Sequence, residues 1–206
     1  VKLKTPALLL LALVMSGCAT GPGQSVEWIT VRNTDQFTDK STCGVTVGSF
    51  YTVGGVFTAS NHYYPYIESV NGELRVGIRS GGRFKIPVGD VQLRIDQNPA
   101  WTIATGETPV DYVPEGQLKA MQAYGGDAKQ QQMLESTYKA ALQASAQAMS
   151  PFTAATGEKA EKILAQMKTG KVLIYRTLGM NQAASTTGEY ALDQSLSKAL
   201  TECGIK

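Results

Sequence analysis

Ile67-Glu68-Ser69-Val70-Asn71-Gly72-Glu73-Leu74-Arg75-Val76-Gly77-Ile78 is the stretch on which the fold class turns. Asn and Gly tolerate positive φ at little cost, so Asn71-Gly72 between two β-rich runs predicts a tight antiparallel hairpin. Beyond the turn, Leu74, Val76 and Ile78 alternate with Arg75, Gly77 and Arg79, the pattern of a strand that buries one face. Val91, Leu93 and Ile95 repeat that alternation against Gln92, Arg94 and Asp96. Ser80-Gly81-Gly82 and Val88-Gly89-Asp90 read as two further turns. Working outward from the hairpin, the expected strands are 27–32, 44–52, 56–59, 66–70, 74–78, 83–87, 91–95 and 102–104. Many short, one-sided strands predict an antiparallel β-sandwich or an open barrel.

From Pro114 onward the composition shifts to Ala, Gln, Met and Lys. Residues 115–123 read as a short helix stopped by Gly125-Gly126. Asp127, with Gln130 three positions on, has the pattern of an N-cap opening a helix that runs to Met149. Ser150-Pro151 ends it, because the residue before proline disfavours the helical region. The apolar positions of this helix (Met133, Leu134, Tyr138, Ala141, Leu142) make a narrow, Ala-rich stripe. Packing across a sheet is one use for that stripe, and assembly with a partner is the other. A further helix over 158–167 places Ala160, Ile163, Leu164 and Met167 on one face. Strands follow at 172–175 and 189–192, and a helix over 193–202 aligns Leu196, Ala199, Leu200 and Cys203. The expectation is a single α+β domain over 26–206, β-rich through 112 and helix-rich from 113, with a strand returning to the sheet.

Ahead of that domain, Lys2 and Lys4 precede nine apolar residues, Ala7 to Met15, and then Ser16-Gly17-Cys18. A charged start, a short apolar run and small residues at the end form an export signal. Nine residues fall short of the ~20 that span a bilayer. A cysteine directly after such a site resembles the lipobox of bacterial lipoproteins, with Met15 where that family usually has Leu. The resemblance implies cleavage of 1–17 and acylation of Cys18, and it implies that 18–25 (Cys-Ala-Thr-Gly-Pro-Gly-Gln-Ser) is the lipidated residue and a flexible tether. An ordinary secretory signal cut elsewhere, for instance after Ala19, is the competing reading. Ala19, rather than an Asp, resembles cargo sent on to the outer membrane.

Of the 206 residues, the 17 before Cys18 carry two lysines and no acid. The remaining 189 therefore hold 17 basic and 17 acidic residues, a balance that argues against nucleic acid or an anionic membrane face as partner. Two cysteines remain besides Cys18. In an exported chain Cys43 and Cys203 read most simply as a disulfide, closing a loop worth up to about 5 kcal/mol in the chain-entropy account. Two buried free thiols are the alternative.

The phrase Ile86-Pro87-Val88-Gly89-Asp90-Val91-Gln92-Leu93-Arg94-Ile95-Asp96, with 163–175, Tyr190-Ala191-Leu192 and 195–199, is similar in its order of elements to the invasion-associated locus B family of exported bacterial proteins. The similarity implies fold and export, not mechanism. The long Gln/Ala helix has no counterpart in it.

Several patterns invite chemistry. Ser136-Thr137-Tyr138-Lys139 and Lys168-Thr169-Gly170 match serine acyl-enzyme motifs of β-lactamases and penicillin-binding proteins. Ser136, however, falls inside the expected helix, and no Ser-Asp-Asn lies between the two motifs. Ser195-x-x-Lys198 sits likewise on the closing helix. His62 is the single histidine, so no zinc or copper set assembles, and Asp35 and Asp39 fit no calcium loop. No metal or cofactor is expected. Asp96, Glu107, Asp111 and Glu115 near the β-to-α transition are the carboxylates available to a hydrolase.

Asn61-His62-Tyr63-Tyr64-Pro65-Tyr66 is the most unusual local cluster. Ring residues around a proline offer rigid amphipathic area for a glycan or protein, which makes His62, Tyr63, Tyr64 and Tyr66 the candidate binding residues. The alternative is that Tyr64 and Tyr66 begin a strand and point into the core. The reading that follows is a lipid-anchored, non-enzymatic protein facing the periplasm from the outer membrane. It would present a binding surface to an envelope protein or to peptidoglycan, as an accessory or an inhibitor or immunity protein. A small carboxylate-dependent envelope hydrolase is the alternative.

Overall fold

Asn71 and Gly72 both adopt positive φ, 52° and 84°, and close the turn between β3 (Tyr63–Val70) and β4 (Glu73–Ser80) with Val70 opposite Glu73. The computed structural model describes residues 26–37, 39, 41–47, 63–81, 85–110, 127–178 and 187–206. Around the hairpin, β1 (Trp28–Thr34), β2 (Ser41–Val47) and β7 (Phe152–Ala155) complete a five-stranded antiparallel sheet in the order β1-β2-β3-β4-β7. A second antiparallel sheet has the order β6-β5-β8-β9. Its strands are β5 (Asp90–Ile95), β6 (Trp101–Ile103), β8 (Val172–Leu178) and β9 (Thr187–Ala191). Two sheets and three α-helices make a sandwich-like α+β fold without a closed barrel among the described residues.

Both halves of the chain contribute to both sheets, so the β-rich and helix-rich segments interleave rather than stack end to end. The strand expected at 83–87 is not formed over its described part. Pro87 has no N–H to give a ladder, Gly89 turns at φ 75°, and the Val88 N–H donates to Ser150 O at 3.2 Å instead. The strand expected at 56–59 and the helix expected at 115–123 lie outside the described residues, as do residues 48–52 of the second expected strand. In compensation, β7 is a strand outside the expected set. Its Phe-Thr-Ala-Ala sequence follows Ser150-Pro151 and is held by pairing with β4, from Val76↔Ala155 to Arg79↔Phe152.

One core fills the space between the sheets. Val45, Ile67, Val76 and Ile78 of the five-stranded sheet meet Val91, Leu93, Ile95 and Leu173 of the other, all essentially without exposure. A helix here designated α2 (Gly157–Thr169) adds Ala160, Ile163, Leu164 and Met167, the face its spacing predicts. It is fastened to β6 through Trp101 Nε1 to Gln166 Oε1 at 2.9 Å and Lys159 Nζ to Thr102 O at 2.6 Å. The closing helix α3 (Gln194–Glu202), capped by the Asp193 carboxylate on Ser195 N, buries Leu196, Ala199 and Leu200.

Cys43 and Cys203 form the disulfide, with Cα atoms 5.4 Å apart, and tie β2 to the end of α3. The same seam carries Arg32 Nη2 to Glu202 O (2.7 Å), Trp28 N to Ser195 Oγ (2.9 Å) and Trp28 Nε1 to Ala191 O (2.8 Å). Closing a loop of 160 residues stabilises the fold by up to about 5 kcal/mol in the chain-entropy account.

The remaining helix behaves differently. α1 (Ala128–Ala148) has 21 residues, about 30 Å at 1.5 Å per residue, and opens as expected with Asp127 Oδ1 accepting from Gln130 N at 2.8 Å. Gln147 is its one buried residue among those described. Packing across a sheet would have buried the apolar stripe. Instead Met133 and Leu134 are 64% and 45% exposed, and Met149, at the C-cap, is also exposed.

Candidate functional site

The tyrosine cluster builds a joint between the sheets. Tyr64 and Tyr66 are 6% and 2% exposed, so their rings serve the interior, and a solvent-facing platform would need other side chains. Tyr63 is half-buried. Its hydroxyl donates to Pro87 O at 3.1 Å, and its carbonyl accepts a short hydrogen bond from the Tyr175 hydroxyl on the other sheet. Tyr175 stacks on Tyr190 with ring centroids 6.1 Å apart, and Gly188 leaves the room its ring requires. Burial raises the pKa of Tyr63, Tyr64, Tyr175 and Tyr190, so these phenols stay protonated donors rather than nucleophiles. His62 lies outside the described residues, as do Cys18, Asp111 and Glu115.

Tyr66 faces away from the central core and forms its own small cluster. It meets Phe152 edge-on at 5.8 Å, and the Arg79 guanidinium sits 5.5 Å over its ring.

The two described carboxylates with hydrolase spacing are both engaged by the fold. Asp96 takes a left-handed turn (φ 50°) and accepts from Lys171 N at 3.1 Å and from Val172 N at 2.9 Å, closing the approach to β8. Glu107, in a 3-10 turn (Thr105–Glu107), accepts from Ala104 N at 2.9 Å and pairs with Lys159 at 2.5 Å. Partial burial would raise its pKa, but the Ala104 N–H and the Lys159 ammonium outweigh that and hold it below the usual carboxylate value.

The serines are occupied as well. Ser136 donates to Met133 O inside α1, and Ser195 accepts from Trp28 N while donating to Asp193 at 2.5 Å. Among the described residues no three His, Cys, Asp or Glu side chains converge on a metal position. Nor is any described helix long and apolar enough to cross a membrane.

Two surface features remain. Gln147 Nε2 donates to Gly106 O (2.8 Å) and Thr108 O (2.9 Å), holding α1 to the body by its last turn and its polar side. On the helical wheel Leu134 and Met149 fall on the opposite arc from that anchor, whereas Met133, nearly four full turns before Gln147, lies on its side and is exposed beyond the end of the contact.

The other feature is a groove of about 280 Å³ on the outer face of the four-stranded sheet, between Gln92, Arg94, Ala100, Ile174, Arg176 and Thr187. Its arginines occupy outward positions of strands legible in the sequence. Their meeting depends on β5 pairing with β8, which no local pattern announces. No protein-family model matches this sequence, and no curated protein or solved structure matches it.

Proposed function

We propose that this is a lipid-anchored, non-enzymatic protein of the bacterial envelope, held through Cys18 at the outer membrane and presenting α1 to a periplasmic or outer-membrane partner. The disulfide speaks for an oxidising, non-cytoplasmic compartment. The lipobox resemblance supplies the anchor, and Ala19 supplies the outer-membrane address. The observation that carries the binding role is the stance of α1: a helix of 21 residues fastened by Gln147 in its last turn, with Met133, Leu134 and Met149 exposed and the last two on the arc opposite that anchor. Exposed methionines suit an adaptable protein contact. An accessory factor or an inhibitor or immunity protein fits this reading, since the described carboxylates and serines with enzyme-like spacing are spent on structure.

Photo-crosslinkers placed at Leu134 and at Gln143, on opposite sides of α1, test it in intact cells. Position 134 should give a discrete adduct and position 143 much less; equal labelling from both would count against α1 as the contact. Cys18→Ser should move the protein from the membrane to the soluble fraction. Retention on the membrane would remove the lipid anchor from the reading.

A further inference from the structure

We propose that the open face of the four-stranded sheet carries a binding site for the carboxylate of a peptide, with Arg176 and Arg94 as its two recognition residues. This goes beyond the α1 contact and does not depend on it. Across the sheet one row runs Thr102–Gln92–Arg176–Thr187, set by the pairings Gln92↔Thr102, Gln92↔Arg176 and Arg176↔Thr187. Within that row Gln92 Nε2 donates to Thr102 Oγ1 at 3.1 Å, and Gln92 Oε1 accepts from Arg176 Nε at 2.7 Å. The glutamine is thereby locked in one amide orientation and fixes the guanidinium plane through a single N–H. The terminal nitrogens of Arg176, with four of its five donors, remain for a ligand.

Arg94 lies opposite Ile174, two positions from Arg176 on β8, and is its diagonal cross-strand neighbour at roughly 7–8 Å. No carboxylate lines the groove, and among the described residues neither arginine has an acid within ion-pair distance. Glu189 on β9 stands opposite Ile174 and diagonal to Arg176, roughly 7–8 Å away, and makes no ion pair with it. With two guanidinium groups and no carboxylate in its lining, the groove keeps a positive field that an anion relieves.

The rest of the lining narrows the class of anion. Ile174 and Ala100 give an apolar floor beside the guanidinium groups, so the ligand has a short apolar arm next to its charge. About 280 Å³ holds one or two amino-acid residues and not a polymer. Arginine in place of lysine favours the planar, two-oxygen geometry of a carboxylate. A peptide terminus or an acidic side chain meets all three conditions.

The test is an NMR titration of the full chain in detergent micelles with N-acetyl-alanyl-alanine, its C-terminal amide and inorganic phosphate as probes. The free carboxylate should shift the amide signals of Gln92, Arg94, Ile174 and Arg176 at millimolar concentration, and the amide should not. Arg176→Gln and Arg94→Gln should each weaken binding about tenfold or more, as loss of a charge-assisted hydrogen bond does. Both side chains are exposed, so the remaining signals should keep their positions and report an intact fold. Equal shifts from the amide, no shift from the carboxylate, or a response to phosphate as strong as to the peptide would each overturn the proposal. Partner capture through α1 would be unaffected by any of these results.

Discussion

In the five-stranded sheet a row runs Thr46–Tyr66–Gly77–Ala154 on the face turned from the central core, and every member of it is buried. In the four-stranded sheet the row Thr102–Gln92–Arg176–Thr187 is also turned from the core, and it faces water. The difference lies in what each row can pack. Tyr66, Phe152 and the apolar stem of Arg79 cover one another, and Gly77 lets the β7 backbone approach closely. The polar row instead satisfies its groups by side-chain hydrogen bonds that leave guanidinium donors outward. A buried face contributes stability; a face that stays open is available for recognition.

The largest break in this contrast should come at Gly77. A Cβ there would lie 1.9 Å from Thr153 O and 2.7 Å from Ala154 Cα, so the β7 backbone has to move. Gly77→Ala should destabilise the protein by about 3 kcal/mol in urea unfolding, the upper part of the usual range for overpacking. A loss under about 1 kcal/mol would mean that β7 does not press on β4 in solution.

Isoleucine truncations sharpen the comparison next. Ile67→Ala removes a fully buried side chain from the core face and should destabilise by about 3 kcal/mol, whereas Ile174→Ala on the open face should stay below about 1 kcal/mol. Similar losses from both would show that the second sheet is covered after all.

The smallest effect is electrostatic and belongs to the turn beside β6. The folded-state pKa of Glu107 is lowered, so its contribution is present above the unfolded carboxylate value near 4.3 and disappears as pH falls through the folded value. With the side chain 41% exposed, solvent screening limits this to less than about 1 kcal/mol. Glu107→Gln should therefore lower unfolding free energy slightly at pH 7 and not at all at pH 2. An equal difference at both pH values would assign the effect to packing.

Parts of this architecture were legible residue by residue. The Asn71-Gly72 turn, the Asp127 cap and the buried face of α2 are local matters, decided by φ preference, a side-chain acceptor within reach and helical period. The tyrosine cluster was visible too, and the sequence left its orientation open between platform and core. Tyr63 and Tyr175, the residues that join the sheets, stand 112 positions apart. The alternation of β4 predicted one buried face, and Arg75 at 5% exposure shows two. Period-two patterns report which side chains share a face and say nothing about what covers it.

By itself, then, the sequence determined the Asn71-Gly72 turn, the Asp127 cap and the buried face of α2, because each depends on neighbours along the chain. Tertiary structure alone decided that Phe152–Ala155 is a strand, that Tyr64 and Tyr66 are interior, that α1 stands away from the core, and that Arg94 meets Arg176. Those outcomes follow from long-range pairing and from the competition for buried surface. Neither leaves a signature in any short window of residues.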